Sequence, residues 1–232
     1  MIVVIQCAGR KHPNTPPLTF NGNVVHFVAQ PQDGQVDKRP WDQIPGSNKT
    51  WIDCIKAYNE ASGEMPAEYI NLNIGTEKSR RLWQCGNLYK PPVYGELMSA
   101  CGLRNVYILS AGWGLVRADK FIPKYDVTFS QLGDISVRIA ATDRLQCASL
   151  SDEIPDNGEI NLFISRAYVL YWSHLYRGAA QRTVLHWRLG QELPNGQYGT
   201  IVKHDCGDQV TNWQYTAARQ FIAGLGQTPK SP

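Results

Sequence analysis

The chain has 232 residues and a formal charge of +3, with 43% hydrophobic and 19% charged residues. That length buries a real core, and that balance excludes a disordered or fibrous chain. The mild positive charge suits a nucleic-acid partner without demanding one, and no apolar run reaches the roughly 18 residues of a membrane-spanning helix.

Residues 2–6, IVVIQ, form a nearly continuous apolar run that reads as a strand buried on both faces. The run is too short for a signal peptide, and its charges, Arg10 and Lys11, follow it rather than precede it. Residues 12–23 read as a loop and 24–29 as a second strand. Pro31, Gly34, Pro40, Pro45 and Gly46 make 30–49 a long surface loop. Residues 50–61 carry apolar positions at helical spacing, with Thr50 as the cap. Residues 76–88 are a weaker helix. Residues 92–101 read as a helix opened by a proline and stopped by Gly102. Residues 105–110, NVYILS, are a clear strand. Residues 135–148 read as a basic helix, 160–164 as a third buried strand, 167–176 as a helix stopped by Gly178, and 182–187 as a strand. A helix over 213–225 has Asn212 as its cap and Gly226 beyond its end. Residues 227–232 read as a frayed tail, leaving 1–226 as one domain.

Six cysteines, at 7, 54, 85, 101, 147 and 206, include no CxxC pair, and no two histidines have metal-ligand spacing. Neither a metal nor a cofactor is expected, and the expected compartment is the cytoplasm, with reduced thiols. Seven tryptophans and eleven tyrosines are many for this length. Most belong in the core, although a stacking pocket needs aromatics too.

Alternating strands and helices predict an α/β fold, with a mainly parallel central sheet flanked by helices. Ligands bind such sheets beyond the carboxyl ends of the strands. Three strand ends share a pattern: Cys7-Ala8-Gly9-Arg10, Ser110-Ala111-Gly112-Trp113 and Ser165-Arg166-Ala167-Tyr168. Each opens on a small polar residue. Each then places small residues, which admit a ligand close to the backbone, beside an arginine or a large aromatic. Any tight turn favours small residues, so one such end means little and three together mean more. The stretch 110–126 is the densest. It holds Gly112 and Gly114 around Trp113, the cations Arg117, Lys120 and Lys124, and the carboxylates Asp119 and Asp126.

The string ILSAGWGLVRADKFIPKYDVTFS resembles the central signature of the YaaA-like group of bacterial proteins. That signature is a strand, then Ser-(Gly/Ala)-x-(Tyr/Trp)-Gly-Leu, an acidic residue, and later Pro-x-Tyr-Asp. Cys7 with Lys11 is similar to that group's early Cys-x-x-x-Lys element. Tyr94-Gly95-Glu96-Leu97 sits where the group has a similar helix, and Thr211-Asn212-Trp213-Gln214-Tyr215 resembles a C-terminal element of closer relatives. The resemblance covers 1–11, 50–59, 92–130 and 211–225. It departs from the group at Ser165-Arg166-Ala167-Tyr168, where relatives carry a Gly-rich turn.

The resemblance implies a YaaA-like or uracil-DNA-glycosylase-like fold, related to tRNA-base-modifying enzymes, and nucleic-acid chemistry. The expected activity is that of a DNA glycosylase acting on phage DNA with modified bases, with no obligate protein partner. Such an enzyme flips a base from the stack, stabilises the sugar's developing positive charge and orients a water. One carboxylate serves the last two tasks. Asp126 is the first candidate and Asp119 the second, and the plainer reading of Asp126 is a turn residue. Trp113, Tyr125 and Trp213 are candidates to stack on the base, and Trp113 reads equally as a core aromatic. Asn212 offers a carboxamide for the base edge as an alternative to capping its helix. Arg10, Lys11, Arg117, Lys120 and Lys124 are candidate phosphate contacts, or plain surface cations. Cys7, Gly9, Ser110, Gly112, Ser165, Arg166 and Tyr168 complete the expected binding crevice. Cys7 is a candidate nucleophile, though a buried thiol is the plainer reading. Lys120 and Lys124 are the candidate Schiff-base nucleophiles, but nothing in the sequence shows either desolvated, so a monofunctional enzyme that leaves an abasic site is expected rather than a lyase. A non-catalytic DNA- or RNA-binding stress-response protein and a nucleoside or sugar-nucleotide hydrolase are the alternatives.

Overall fold

β-branched residues run without interruption from Ile2 to Ile5, and the segment Ile2–Gln6, β1, is an interior strand of the sheet. The computed structural model describes residues 1–28, 37–39, 42–77, 80–126, 154–196, 198–209 and 211–226. After β1 come β2 (Thr19–Phe20), β3 (Asn23–Val24), β4 (His26–Val28), β5 (Asp37–Lys38), α1 (Trp51–Glu60), α2 (Ala67–Asn71) and β6 (Trp83–Gln84). Next are α3 (Val93–Cys101), β7 (Val106–Ser110), β8 (Gly114–Arg117), β9 (Phe121–Ile122), β10 (Tyr125–Asp126) and β11 (Ile160–Phe163). The chain closes with α4 (Arg166–Leu175), β12 (Thr183–Arg188), β13 (Thr200–His204) and α5 (Trp213–Leu225).

The main sheet has six strands in the order β13-β12-β11-β1-β7-β8. All neighbours are parallel except β7 and β8, which form a hairpin. The mixed α/β architecture and the mostly parallel sheet agree with the sequence reading. β1 lies between β7 and β11, with Val4 opposite Tyr107 on one side and Leu162 on the other. Their carboxyl ends therefore lie side by side. Helix α3 packs over β1 and β7, and α5 over β11 and β12. The two helices meet through the rings of Tyr94 and Tyr215 and through an Arg219–Glu96 ion pair at 2.8 Å.

Helix α1 begins where the sequence places it. Thr50 accepts from the Asp53 N–H, and Asp53 accepts from the Thr50 N–H at 2.7 Å, which makes a capping box. Gly102 stops α3 at φ +86°, a left-handed conformation that favours glycine. Helix α5 starts after Asn212, but the expected cap is not made. Asn212 sits at φ 60° and its side chain bonds no helix N–H.

Several local expectations are corrected. The predicted loop 12–23 contains the β2–β3 hairpin. Its turn residues Asn21 and Gly22 take φ of 49° and 79°, a combination suited to closing a two-residue hairpin. The predicted strand 24–29 does not join the main sheet. Of its described part, Val24 ends β3, which pairs antiparallel with β2, and β4 pairs in parallel with β5 and β10. The predicted surface loop 30–49 includes β5 and the fully buried Ile44. The predicted helix 76–88 is instead the strand β6, paired with β9, followed by a 3₁₀ turn over Cys85–Asn87. α2, β8, β9, β10 and β13 went unread in the sequence. The helix expected at 135–148 and the tail 227–232 lie outside the described residues, as does most of the uncovered region 131–160.

The aromatic surplus is mostly core. Trp51, Trp113, Trp172 and Trp187 are all buried to within 2% exposure, and Trp213 to 3%. Cys7, Cys54, Cys85, Cys101 and Cys206 are free thiols. Among the described residues no helix is long and apolar enough to cross a membrane. A buried polar chain crosses the far half of the sheet. Asn161 Oδ1 lies 2.8 Å from His186 Nε2, and His186 Nδ1 lies 2.7 Å from His204 Nε2. Phe163 stacks on His186 at 4.3 Å between ring centres, which shields that imidazole from water.

Candidate functional site

The three strand ends that look alike in sequence are brought together. Cys7, just past β1, places its Sγ 3.1 Å from the hydroxyl of Tyr168 on α4. The same sulfur accepts from the Ala111 N–H just past β7, at 3.5 Å. Gln6, the last residue of β1, accepts from the Ser165 N–H through Oε1 at 2.5 Å. Adjacency of β11, β1 and β7 in the sheet explains this convergence, because parallel neighbours end on the same edge.

Ser110 organises the β7 end. Its Oγ accepts from the Trp113 N–H at 3.1 Å and from the Gly112 N–H at 3.3 Å, and its hydroxyl donates to the Tyr125 hydroxyl at 2.8 Å. The Tyr125 hydroxyl also meets that of Tyr89 at 2.7 Å. Gly112 is required here, since a Cβ on it would lie 2.9 Å from the Tyr125 ring. Burial, followed by the neighbouring Cys7, pushes the Tyr125 hydroxyl well above its ordinary pKa. Tyr89 moves the same way for the same first reason. Both phenols are therefore neutral hydrogen-bonding groups at any ordinary pH.

On the other side of Tyr125 lies a cleft of about 780 Å³. Pro13 and Thr15 line one wall, His26 and Val28 another, and Lys11, Lys124 and Asp126 bring charge to it. Strand alternation explains how β10 serves both sides. Tyr125 is buried toward Ser110, whereas the next residue, Asp126, is exposed at the cleft. Lys11 crosses the face of Tyr125, with Nζ 4.0 Å from the ring centre. Its backbone is tied down by a bridge to Tyr89 and by the flanking His12 N–H to Leu88 carbonyl bond at 2.9 Å. Burial lowers the pKa of Lys11. Cys7 and Asp126 oppose that shift and Lys124 adds to it.

The cleft thus gathers Gly9, Lys11, Lys124, Tyr125 and Asp126 from the predicted set. Cys7, Ser110 and Gly112 form the layer beneath it. Other predicted residues lie elsewhere. Trp113 is a core residue, edge-on to Phe27 at 5.1 Å, and cannot stack on a ligand. Trp213 likewise packs edge-on against Trp187 at 5.1 Å. Asp119 holds Arg117 in a bidentate pair at 2.6 and 2.9 Å. Arg117 lies opposite Tyr107 near the amino end of β7, roughly 10 Å along the strand from Ser110. Asp119, Arg117 and the adjoining Lys120 are therefore removed from the carboxylate and phosphate roles expected of them. Arg10 is exposed outside the cleft lining, and its carbonyl accepts from the Lys90 N–H. Arg166 is exposed and faces Glu192 at 3.5 Å. Ser165 and Tyr168 serve contacts between strand ends, and Asn212 is exposed away from the cleft.

Tyr89 and Asp37 line or support the site and have no signal in the sequence. Tyr89 lies in a proline-flanked turn with no motif. His26 and Asp37 reach the cleft only because β4 and β5 pair with β10 in a small separate sheet. Among the described residues no cluster of His, Cys, Asp and Glu could hold a metal ion. Compared with family models, curated proteins and solved structures, the chain matches none of them.

Proposed function

We propose that this protein is a DNA glycosylase that hydrolyses the N-glycosidic bond of a modified base, as in defence against phages with modified DNA. One observation carries the reading: an exposed aspartate, Asp126, lies in a deep cleft beside Lys11 and Lys124, next to the carboxyl ends of β1 and β7. The resemblance of 108–130 to the YaaA-like signature supports it, and so does the parallel sheet, which suits a YaaA-like or uracil-DNA-glycosylase-like fold.

The residues divide the work as follows. Lys124 supplies positive potential for the phosphates that flank an extruded nucleotide. The Asp126 carboxylate faces the anomeric carbon, stabilises the oxocarbenium character that develops there, and orients the attacking water. The Tyr125–Ser110–Tyr89 hydroxyls hold the wall behind Lys11 and Asp126 in one geometry. With Trp113 and Trp213 in the core, the base rests on the wall of Pro13, Val24 and Val28 rather than between indoles.

A second reading is a nucleoside or sugar-nucleotide hydrolase. The cleft volume favours it, because about 780 Å³ lies in the range that encloses one small ligand. Incubation with unmodified DNA, phage-modified DNA and free nucleosides, followed by mass spectrometry of released base, separates the readings. Base release from modified DNA alone is the expected result. Release from nucleosides alone supports the hydrolase. Salt-sensitive DNA binding with no release from any substrate identifies a non-catalytic binding protein and overturns the proposal.

A further inference from the structure

Lys11 is the cation whose surroundings are least explained by a phosphate contact. A phosphate-gripping lysine keeps its charge in water at the end of a mobile stem. Lys11 instead lies flat on an aromatic ring, and among the described residues no carboxylate is within ion-pair distance of its Nζ. The ring itself cannot retreat. Tyr125 is fixed at its hydroxyl by Ser110 and Tyr89 and packed at its edge against Gly112. The Lys11 backbone is held by the bridge to Tyr89. The amine is therefore immobilised, shielded on one side and open to the cleft on the other, with Asp126, Lys124 and Asp37 as the other charged residues lining that cleft.

We infer that Lys11 is an imine-forming amine that condenses with the open-chain aldehyde of a 2-deoxyribose phosphate unit held in the cleft. The inference rests on the glycosylase reading only for the identity of that sugar, since removal of a base leaves such an aldehyde. In the step, the neutral Nζ lone pair forms a bond to the aldehyde carbon, and the carbonyl π pair moves to oxygen. One N–H proton and one proton from a neighbouring acid convert that oxygen to water, which leaves with its bonding pair. The product is a protonated imine, which water reverses. Water in the open cleft supplies the external proton. The Tyr125 face then lies against a cation, the interaction it already offers the ammonium. The lowered pKa of Lys11 agrees with this role, because only the neutral amine attacks. Cys7, Asp126, Lys124, Tyr89 and Tyr125 are the titratable groups around it, and His26 and Asp37 line the same cleft. This departs from the purely hydrolytic enzyme expected from sequence, which had only Lys120 and Lys124 in view as lysine nucleophiles.

The test uses the whole chain, sodium borohydride, and two probes: an oligonucleotide with an abasic site made beforehand by depurination, and free 2-deoxyribose 5-phosphate. Borohydride delivers hydride to the imine carbon and leaves a stable secondary amine, which peptide mass spectrometry locates. The expected result is an adduct on Lys11 in the wild-type protein, at least tenfold above that on the exposed Lys203. Its yield reaches half-maximum below the ordinary lysine range near about 10.4. Lys11→Arg, which keeps the charge and the stem, removes the adduct, and Lys203→Ala retains it. An adduct from the oligonucleotide marks the polymer as the source of the aldehyde, and one from the free sugar phosphate alone marks the mononucleotide. No adduct from either probe, or an adduct on Lys124 or spread over exposed lysines, overturns the inference. Because the abasic site is made beforehand, trapping without base release sinks the glycosylase reading alone. Base release without trapping sinks the inference alone.

Discussion

Acid should destabilise this protein through His186, and the size of the effect follows from the buried chain that crosses the sheet. Asn161 donates its amide N–H to Glu159 at 3.1 Å, so its Oδ1 is the atom that faces His186 Nε2. His186 thus faces Asn161 Oδ1 and His204 Nε2 with its two ring nitrogens. Burial first, and His204 second, hold its pKa down to about 3 from 6.5. In the unfolded chain the same imidazole titrates near 6.5. Between these values the unfolded state binds the extra proton, so stability is lost as pH falls below about 6.5 and the loss levels off near 3. Each pH unit in that window costs about 1.4 kcal/mol per proton, so acidification from about pH 7 to 4.5 costs about 2.5 kcal/mol. For a chain of this size that is a fall of roughly 5–10 °C in Tm. Urea denaturation of wild type and His186→Gln across this range isolates the effect, because carboxylates and other histidines titrate in both. The wild type should lose more stability on acidification, by about 2.5 kcal/mol. Parallel pH profiles would refute the reasoning and show that His186 is protonated without penalty.

Gly112→Ala places a Cβ 2.9 Å from a Tyr125 ring that cannot withdraw, and should cost about 1–3 kcal/mol in a denaturant midpoint. A midpoint equal to wild type would mean that the ring has room to move. Trp113→Ala should destabilise by about 3–5 kcal/mol because it empties a core site. A variant with the wild-type midpoint but lost ligand binding would return Trp113 to the cleft. Asp126→Asn changes one exposed side chain on a two-residue strand. Its stability should stay within about 0.5 kcal/mol of wild type. Base release should fall at least about 100-fold, and a folded variant with full activity would remove Asp126 from the mechanism.

The long strands and helices were legible because their signals are local. An unbroken β-branched run marks β1, the Thr50–Asp53 capping box opens α1, and Gly102 ends α3. The two-residue strands were not legible, because so short a segment has no period to read and forms only against a partner. The pair β6 and β9 shows this: Trp83 finds Ile122 across 38 intervening residues. Charge misled in the same way. Asp126 and Asp119 are the first and second candidate carboxylates in one stretch of sequence. The β7–β8 hairpin then carries Asp119 to one end of the sheet, against Arg117, while β10 holds Asp126 at the other. Trp113 lies between two glycines, a pattern that suits exposure or burial, and burial wins because Phe27 and Tyr125 close over it.

The sequence by itself therefore determined an α/β chain with a candidate site where β1 and β7 stop, since apolar periodicity and small residues at strand ends are properties of neighbouring residues. Only the tertiary structure decided which charges share the cleft. Lys11 and Asp126 are 115 positions apart, and both reach the cleft through Tyr125, whose hydroxyl is held by Ser110 and whose ring lies under the Lys11 amine. No spacing rule encodes that meeting, because it depends on the sheet order and on the burial of one phenol ring.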